Sequence, residues 1–191
     1  RLRGTSRIPA LAVLQNRDFR ILWGSRLIHE VSRRMEQLVL VLLIGGMTGS
    51  YFQLALLAVF LNAPRLGFSL FSGVIADRMD RRLIMVAAHA CYLGITVLIL
   101  LLLIADAIQP WHVFVVLFLQ GLAKVLDDPS RRTAIFDLPG RERLASAMSL
   151  ETINNNSGKI VGPLIGGVLI ASTGFVGSYA VILALDAVSL L

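Results

Sequence analysis

The feature that most constrains this sequence is a short, densely charged segment between two long apolar runs. Residues 73–82 read G-V-I-A-D-R-M-D-R-R and carry three arginines and two aspartates. The flanking runs, 52–76 and 83–105, are each long enough to cross a bilayer, which requires about 20 mostly apolar residues. Because so many charges cannot lie in hydrocarbon, the segment is predicted to be a loop at a membrane surface, with ion pairs among its side chains.

Composition agrees with a membrane protein. Hydrophobic residues make up 56% of the chain, against about 45–50% in ordinary soluble domains, and the mean hydropathy is +0.76. The predicted fold is all-α, with a leader at 1–18 and a membrane domain at 19–191. Six transmembrane helices are predicted, at about 19–46, 51–76, 83–105, 111–128, 144–171 and from 178 onward, with breaks at 106–110 and 172–177. Since the chain opens on Arg1 and closes within an apolar run, it is expected to be a fragment of a longer protein, with its last helix truncated.

The arginines are sorted between the two ends of the predicted helices. The leader, the loop after helix 2 and the segment after helix 4 carry them, whereas the loops after helices 1, 3 and 5 contain no lysine or arginine. Cytoplasmic loops are enriched in these residues, so the N-terminus and the charged loop are predicted to be cytoplasmic.

The first predicted helix carries charge at membrane depth. At about 100° per residue its polar side chains fall within an arc of about 160°: Arg26, His29, Glu30, Arg33, Arg34, Glu36 and Gln37. The arc is predicted to face a cavity or the protein interior, and the apolar remainder (Leu27, Ile28, Val31, Met35 and Leu38) to face lipid. Ionisable groups at this depth mark candidate functional sites. Four are therefore assigned to a substrate or coupling cavity: Glu30, Arg33, Arg34 and Glu36. Arg26 is expected to snorkel to the surface, and simple ion pairing of Glu30 with either arginine is the alternative.

Four polar residues of other helices are assigned to the same cavity: Arg65, Lys124, Asn155 and Lys159. An internal ion pair with Asp127 or Asp128 is an alternative role for Lys124, and a purely structural role is an alternative for Arg65 and Lys159. Because unpaired buried cations are costly, a cavity with this basic excess would suit an anionic or zwitterionic solute.

Helix 5 carries glycines at four-residue intervals. Gly158, Gly162 and Gly166 repeat in G-K-I-V-G-P-L-I-G-G, with Pro163 and Gly167 between them. This spacing lets two helix backbones approach closely in a membrane, so the face is predicted to be a packing seam.

No motif points to an enzyme. The histidines (His29, His89 and His112) lie in different predicted helices, and the single cysteine, Cys91, lies in an apolar run. No metal site, intrachain disulfide or cofactor is expected. The net charge of +6 reflects the sorted arginines, and no nucleic-acid partner is expected.

These motifs resemble the major facilitator transporters. The segment 73–82 resembles the family signature between helices 2 and 3, and 158–167 resembles the GP-x-x-GG signature of helix 5, which is typical of exporters and antiporters. Three segments resemble the bacterial secretion-effector and enterobactin-exporter-like branch: N-R-D-F-R-I-L-W at 16–23, D-R-M-D-R-R at 77–82 and L-A-S-A-M-S-L at 144–150. The similarity covers nearly the whole chain.

The resemblance implies the N-terminal half of a twelve-helix fold, built from two inverted three-helix repeats and working by alternating access with a C-terminal half. It also implies a cytoplasmic gate in which Asp77 pairs with neighbouring basic groups and with the missing half. The gate residues are Gly73, Asp77, Arg78, Arg81 and Arg82. The helix-5 glycines are expected to pack against a helix of the absent half.

The sequence departs from the family pattern at three places. Asp80 stands where the common motif has glycine, and Leu117 stands where helix 4 is expected to carry arginine. Arg33 or Arg34 aligns with an acidic residue that the family often places midway in helix 1. Glu30 and Glu36 are then the substitute proton carriers, and a transporter not driven by protons stays open.

The expected function is secondary active export of a small polar or amphipathic metabolite, a siderophore or a drug. Export is expected to be driven by a proton gradient across the cytoplasmic membrane, without a cofactor. The expected partners are the bilayer, the solute and the missing C-terminal half. A transporter of a lysophospholipid-like anion and a non-transporting receptor or scaffold with the same fold are the alternatives.

Overall fold

The computed structural model describes the backbone of residues 17–78, 80–137 and 144–189, and the side chains within these ranges apart from 18, 19, 22, 69–78, 81, 82, 129–137, 144 and 147. The described chain is helical throughout, with short connections and no strand among its residues. Its five helices are α1 (Arg17–Thr48), α2 (Tyr51–Arg78), α3 (Arg81–Ile104), α4 (Pro110–Asp137) and α5 (Leu144–Ser189). Most of the predicted leader lies outside the described residues.

The first three helices begin and end within two residues of the predicted positions. Gly49, in the connection between α1 and α2, has a φ of 59°, which glycine adopts without steric cost. Asp106 has a φ of 52° in the predicted break between α3 and α4. Aspartate is one of the few residues with a side chain that enter this left-handed region with some frequency.

Two predicted boundaries are wrong. α4 does not end at Asp128 but continues through Pro129 to Asp137, because a helix can extend past the apolar part of its sequence and a proline weakens a helix without always ending it. The predicted turn at 172–177 contracts to one residue. Gly174, with φ 71° and ψ −167°, is the single non-helical position within α5 and divides it into two helical parts, 144–173 and 175–189.

Four helical segments are long and apolar enough to span a membrane: Tyr51–Phe68, Leu83–Ile104, Pro110–Asp128 and Met148–Ser189. α1, which the sequence predicts as a span, is not among them because its first half is rich in ionisable residues. The last of the four segments contains the break at Gly174. These four segments therefore indicate an integral membrane protein. The polar side chains of α1 require a protein environment.

The helices pack in pairs around a core on the second half of α1. α1 contacts α5 most extensively, α2 lies against α4, and α3 contacts both α4 and α5. The buried apolar side chains of this core are Met35, Val39, Leu40, Leu43, Ile44, Leu57, Ile95, Ile99, Val113, Val116, Leu117, Tyr179 and Ile182. The first half of α1, which is polar, precedes this apolar core along the same helix.

The glycine ladder forms the predicted seam, but its partner is α1. A Cβ atom at Gly162 would lie 2.5 Å from Cβ of Arg34 and 2.9 Å from the backbone oxygen of Val31. Gly158 and Gly166 face α1 in the same way, whereas a Cβ at Gly167 would meet nothing within 4 Å. The expectation that these three glycines pack against a helix outside this sequence is therefore wrong.

The seam also corrects the orientation of α1. The apolar side of α1, predicted to face lipid, lies against α5: Met35 is fully buried and approaches both Gly162 and Gly166. Helix periodicity separates a polar from an apolar side, but it does not distinguish lipid from a glycine-lined neighbouring helix, since both environments are apolar.

Candidate functional site

The polar arc of α1 divides into two strips that face different surroundings. His29, Arg33 and Glu36 are only 7%, 7% and 3% exposed and point into the helix bundle. Glu30, Arg34 and Gln37 form the second strip and are half-buried. Each residue of the second strip directly follows a residue of the first strip in the sequence, which corresponds to a rotation of about 100° around the helix. α1 therefore contributes to two separate polar regions.

The second strip borders a cavity of about 300 Å³ between α1, α2 and α4, called here the solute cavity. Its lining combines polar and apolar side chains from the three helices: Arg34, Gln37, Leu61, Asn62, Arg65, Gly121, Lys124, Val125 and Asp128. At this place α2 and α4 approach so closely that a Cβ on Gly121 would collide with the backbone oxygen of Leu61. Three of the predicted site residues, Arg34, Arg65 and Lys124, are thus brought together.

The cations of the solute cavity differ in how far they are neutralised. Nε of Arg34 donates to Oε1 of Glu30 at 2.8 Å, and Nη1 donates to Gln37 at 3.4 Å. The sequence analysis gave ion pairing with Arg33 or Arg34 as the alternative to a cavity role for Glu30, and the pair with Arg34 is formed. The short ion pairs among the described side chains do not include Lys124, and an internal pair with Asp127 or Asp128 stays an alternative role for it. Lys124 lies at the cavity wall together with Asp128, and the two charges attract each other.

A second, apolar cavity of about 210 Å³ adjoins the first. Its lining is Gln37, Leu40, Val41, Leu54, Leu57, Ala58, Leu61 and Leu117. Gln37 and Leu61 line both cavities, so a basic compartment and an apolar compartment are contiguous along α1 and α2.

Asn155 and Lys159 do not line the solute cavity. Asn155 is half-buried on α5, and Lys159 is exposed. Glu151, on the same helix, lies against the beginning of α1. There Arg26 forms an ion pair with Glu151, and its predicted snorkelling to the membrane surface stays a prediction.

The first strip of α1 belongs to a buried polar cluster shared by α1, α3, α4 and α5. Its members are His29, Arg33, Glu36, Tyr92, Thr96, Gln120, Tyr179 and Asp186. Nε2 of Gln120 donates to Oε2 of Glu36 at 2.7 Å, and Oγ1 of Thr96 donates to Oδ2 of Asp186 at 3.2 Å. The guanidinium carbon of Arg33 lies 4.4 Å from the ring centroid of Tyr92, a cation–π distance.

Several buried atoms of this cluster lack a hydrogen-bond partner. They are Nδ1 of His29, both terminal nitrogens of Arg33, Oε1 of Glu36, Oδ1 of Asp186 and the hydroxyl of Tyr179. Native interiors rarely leave buried polar atoms unpaired, and each unpaired group costs free energy.

The sequence prediction placed Arg33 and Glu36 in the cavity and left Tyr92, Thr96, Tyr179 and Asp186 out of the site. Asp186 was detectable as an acidic residue at membrane depth. Tyr92, Thr96 and Tyr179 carried no comparable signal, since hydroxyl side chains are common in membrane helices. Their role depends on which helices become neighbours.

The side chains of the predicted gate (Gly73, Asp77, Arg78, Arg81 and Arg82) lie outside the described residues. The backbone places them at the end of α2 and the beginning of α3. The gate therefore stays a prediction.

The fold and the cavity define a helical membrane protein with a basic compartment between its helices. The sequence model of the transmembrane secretion effectors matches residues 8–191, so the chain belongs to this family of major facilitator transporters. The family indicates a transporter rather than an enzyme.

Curated relatives agree with this family. The chain is 28% identical over 166 residues to the enterobactin exporter EntS of Citrobacter koseri, covering 84% of this chain and 39% of that protein. It is 27% identical over 166 residues to the enterobactin exporter EntS of Salmonella typhimurium, with the same coverage. It is 28% identical over 134 residues to the uncharacterized MFS-type transporter YfiS of Bacillus subtilis, covering 70% of this chain and 31% of that protein. The chain thus spans less than two-fifths of the length of these relatives.

Proposed function

We propose that this chain is the N-terminal half of a major facilitator exporter that moves an anionic, amphipathic small molecule out of the cell. The observation that carries the proposal is the contiguity of the basic solute cavity with an apolar cavity. The complete protein would have twelve helices in two halves, each made of two inverted three-helix repeats, with the solute site between the halves.

The charge of the solute cavity favours an anion. Three cations line it, and Arg34 is already paired with Glu30, which leaves Lys124 and the exposed Arg65 to meet a ligand. A carboxylate, phosphate or phenolate group would form charge-assisted hydrogen bonds with these side chains. Asp128 would limit affinity and so help release of the solute.

The neighbouring apolar cavity favours a solute with an apolar portion. A molecule that binds Lys124 through its charged group would reach the leucines of α1 and α2 past Gln37. Catecholate siderophores have this chemistry, and two of the relatives are named as enterobactin exporters. A lysophospholipid has the same combination of groups, which keeps a lipid transporter as the second candidate.

The remaining features of the proposal come from the sequence. The sorted arginines support a cytoplasmic N-terminus, and the relatives named as bacterial exporters support the cytoplasmic membrane. The proton gradient is the proposed driving force, with no cofactor. The bilayer, the solute and the C-terminal half are the proposed partners.

Reconstitution of the full-length protein tests the proposed function. Vesicles would be loaded with enterobactin or with a fluorescent lysophospholipid, and efflux would be followed with and without an imposed pH gradient. Gradient-dependent loss of enterobactin supports the proposal, and gradient-independent movement of the lipid alone supports the second candidate. Absence of flux for both probes, in a protein that is folded and inserted, contradicts a transport function and favours a scaffold.

Replacing Lys124 with alanine is expected to weaken solute binding about tenfold or more. The reason is the loss of a charge-assisted hydrogen bond, which contributes about 1.5–3 kcal/mol. Binding of enterobactin to the purified full-length protein would be measured by fluorescence quenching. Lys159→Ala is the matched control, because Lys159 is exposed and does not line the cavity. Equal affinities for the two variants would remove Lys124 from the solute site.

Asp77→Asn is expected to reduce transport while membrane insertion stays normal. The substitution removes the negative charge through which the proposed gate would pair with neighbouring basic groups. Initial rates of enterobactin efflux would be compared at equal protein content in vesicles, with Asp106→Asn in the exposed connection between α3 and α4 as the control. An unchanged rate would exclude Asp77 from the mechanism.

A further inference from the structure

We propose that Gln37 selects the solute, by donating a hydrogen bond from its amide nitrogen to a neutral carbonyl oxygen between the charged and the apolar parts of that solute. This role of Gln37 rests on the proposed function and narrows it to amphipathic anions that carry an amide or ester carbonyl at this place. Gln37 belongs to the polar arc of α1 but was not among the residues predicted to line the cavity.

Gln37 stands at the passage between the two cavities. It is one of two residues that line both of them, and the other is Leu61 of α2. Lys124 lines the basic cavity alone, whereas Leu57 lines the apolar cavity alone. A solute that places its charged group at Lys124 and its apolar part beside Leu57 therefore extends past Gln37 and Leu61.

The side chain of Gln37 is oriented by its neighbours on α1. Nη1 of Arg34 donates to Oε1 of Gln37 at 3.4 Å, and Nε of Arg34 donates to Glu30 at 2.8 Å. Because a guanidinium group has no acceptor, the amide oxygen must be the atom that faces Arg34. The amide nitrogen of Gln37 carries two hydrogens and donates to no residue that the structure describes.

The other lining residues do not offer the same neutral donor at the passage. Asn62 lines the basic cavity but not the apolar one, and its nitrogen is held by the backbone oxygen of Ala58 at 2.8 Å. The side chain of Leu61 has no donor, and Lys124 is a cation, which forms its stronger hydrogen bonds with ionised acceptors. Gln37 is therefore the side chain that suits a carbonyl oxygen.

Both walls of the passage are held by close helix contacts. On one side, Gly121 of α4 packs directly against the backbone oxygen of Leu61. On the other side, Gly162 of α5 packs against Arg34 and the backbone of Val31, less than two turns from Gln37. The passage is thus preorganised, and a solute with a plain alkyl chain at this place would cover the donor of Gln37 without replacing its hydrogen bonds to water. Such a mismatch disfavours the wrong solute.

Two anions of equal chain length test the role of Gln37. N-hexanoylglycine has an amide between its carboxylate and its alkyl chain, and nonanoate has methylene groups in place of the amide. Binding of each to the full-length protein in lipid nanodiscs would be measured by isothermal titration calorimetry. Gln37→Met keeps the length of the side chain and removes the donor, so it should weaken binding of N-hexanoylglycine about three- to tenfold without weakening binding of nonanoate. An equal effect on both anions, or no effect on either, overturns the proposal.

Two control variants locate the effect. Gln53→Met is the same substitution in α2, outside both cavities, and should leave both affinities unchanged. Asn62→Ala removes the other amide of the basic cavity and should preserve the ratio of the two dissociation constants. A change of this ratio in Asn62→Ala as large as in Gln37→Met would overturn the assignment of the donor to Gln37.

A second variant decides the matter if Gln37→Met does not fold. Glutamate has the shape of glutamine and still accepts from Arg34, but it has an oxygen in place of the donor nitrogen. Gln37→Glu should therefore change the ratio of the two dissociation constants in the same direction as Gln37→Met, even if the added charge weakens binding of both anions. An unchanged ratio overturns the proposal.

The ester analogue hexanoyloxyacetate identifies the group that is recognised. It keeps the carbonyl and lacks the N–H of the amide, so it should lose affinity in Gln37→Met by the same factor as N-hexanoylglycine. If the ester were insensitive to Gln37→Met, the recognised group would be the N–H of the solute, and the donor role of Gln37 would be overturned.

Transport separates this role of Gln37 from the proposed function. A protein that shows the Gln37-dependent difference in binding but moves neither enterobactin nor the two anions in vesicles would contradict the proposed function alone. A protein that exports enterobactin, but in which Gln37→Met leaves the ratio of dissociation constants unchanged, would overturn the role of Gln37 alone. Absence of binding of both anions to folded wild-type protein would overturn that role as well.

Discussion

Gly162→Ala is expected to destabilise the full-length protein by about 1–2 kcal/mol. Alanine for glycine inside a helix ordinarily stabilises by about 0.5–1 kcal/mol. At Gly162, however, the new Cβ would lie 2.5 Å from Cβ of Arg34, 2.9 Å from the oxygen of Val31 and 3.1 Å from the nitrogen of Met35. Two of these are backbone atoms of α1, so the helices must separate, and overpacking of this kind costs about 1–3 kcal/mol. Thermal unfolding in detergent would measure the loss.

Gly167→Ala is the matched control for this prediction. Gly167 lies in the same helix and the same G-P-x-x-G-G run, but a Cβ there would meet nothing within 4 Å. The control should therefore unfold at the wild-type temperature or slightly above it. If Gly162→Ala were as stable as Gly167→Ala, the close approach of α1 and α5 would be contradicted. Comparing the two variants also distinguishes packing of the glycines against α1 from packing against a helix outside this sequence. In the second case, alanine at Gly167 would be as harmful as alanine at Gly162.

The class of fold could be predicted from the sequence because membrane helices have strong local signals. Long apolar runs predicted α2 and α3 within two residues. The charged segment 73–82 was predicted as a loop, but most of it belongs to the end of α2 and the beginning of α3. Boundaries that depend on the membrane edge were less certain: α4 continues beyond Asp128 because a helix need not end where its apolar sequence ends. The predicted turn at 172–177 is reduced to one residue, because only Gly174 has a non-helical backbone conformation.

The partners of each helix could not be predicted, and this limited the prediction of the site. Periodicity gave α1 a polar and an apolar side, but lipid and the glycine face of α5 are equally apolar surroundings. Similarly, the sequence placed Arg33 beside Arg34 in one cavity, although about 100° of rotation separates adjacent residues. Only the position of α3 and α5 shows that Arg33 meets Tyr92 and the buried cluster, whereas Arg34 lines the solute cavity.

The division of α1 into two strips changes what each arginine is expected to do. From the sequence, Arg33→Ala would be expected to alter solute affinity. In the structure Arg33 is buried over Tyr92, close to Glu36, and does not line the solute cavity. Arg34 lines the cavity and is held there by Glu30. Neighbouring residues of the same type are therefore expected to serve stability and binding separately.

Arg33→Leu is accordingly expected to destabilise the protein by about 3–5 kcal/mol, the cost of leaving a buried charge without its partner. Glu36 and Asp186 would then share one region without a compensating cation. The double variant Arg33→Leu/Glu36→Gln should recover part of the loss, because removal of the second charge relieves the repulsion. Unfolding in detergent would be measured for both single variants and the double variant, so that the coupling between the two residues is obtained from the cycle.

Arg34→Leu is the control for Arg33→Leu, since it is the adjacent arginine of the same helix. It loses a half-buried ion pair with Glu30 and should cost about 1 kcal/mol or less in stability, while weakening enterobactin binding. The opposite pattern, with Arg33→Leu stable but defective in binding, would contradict the assignment of the two strips. Additive effects of Arg33→Leu and Glu36→Gln would show that these side chains do not stabilise each other.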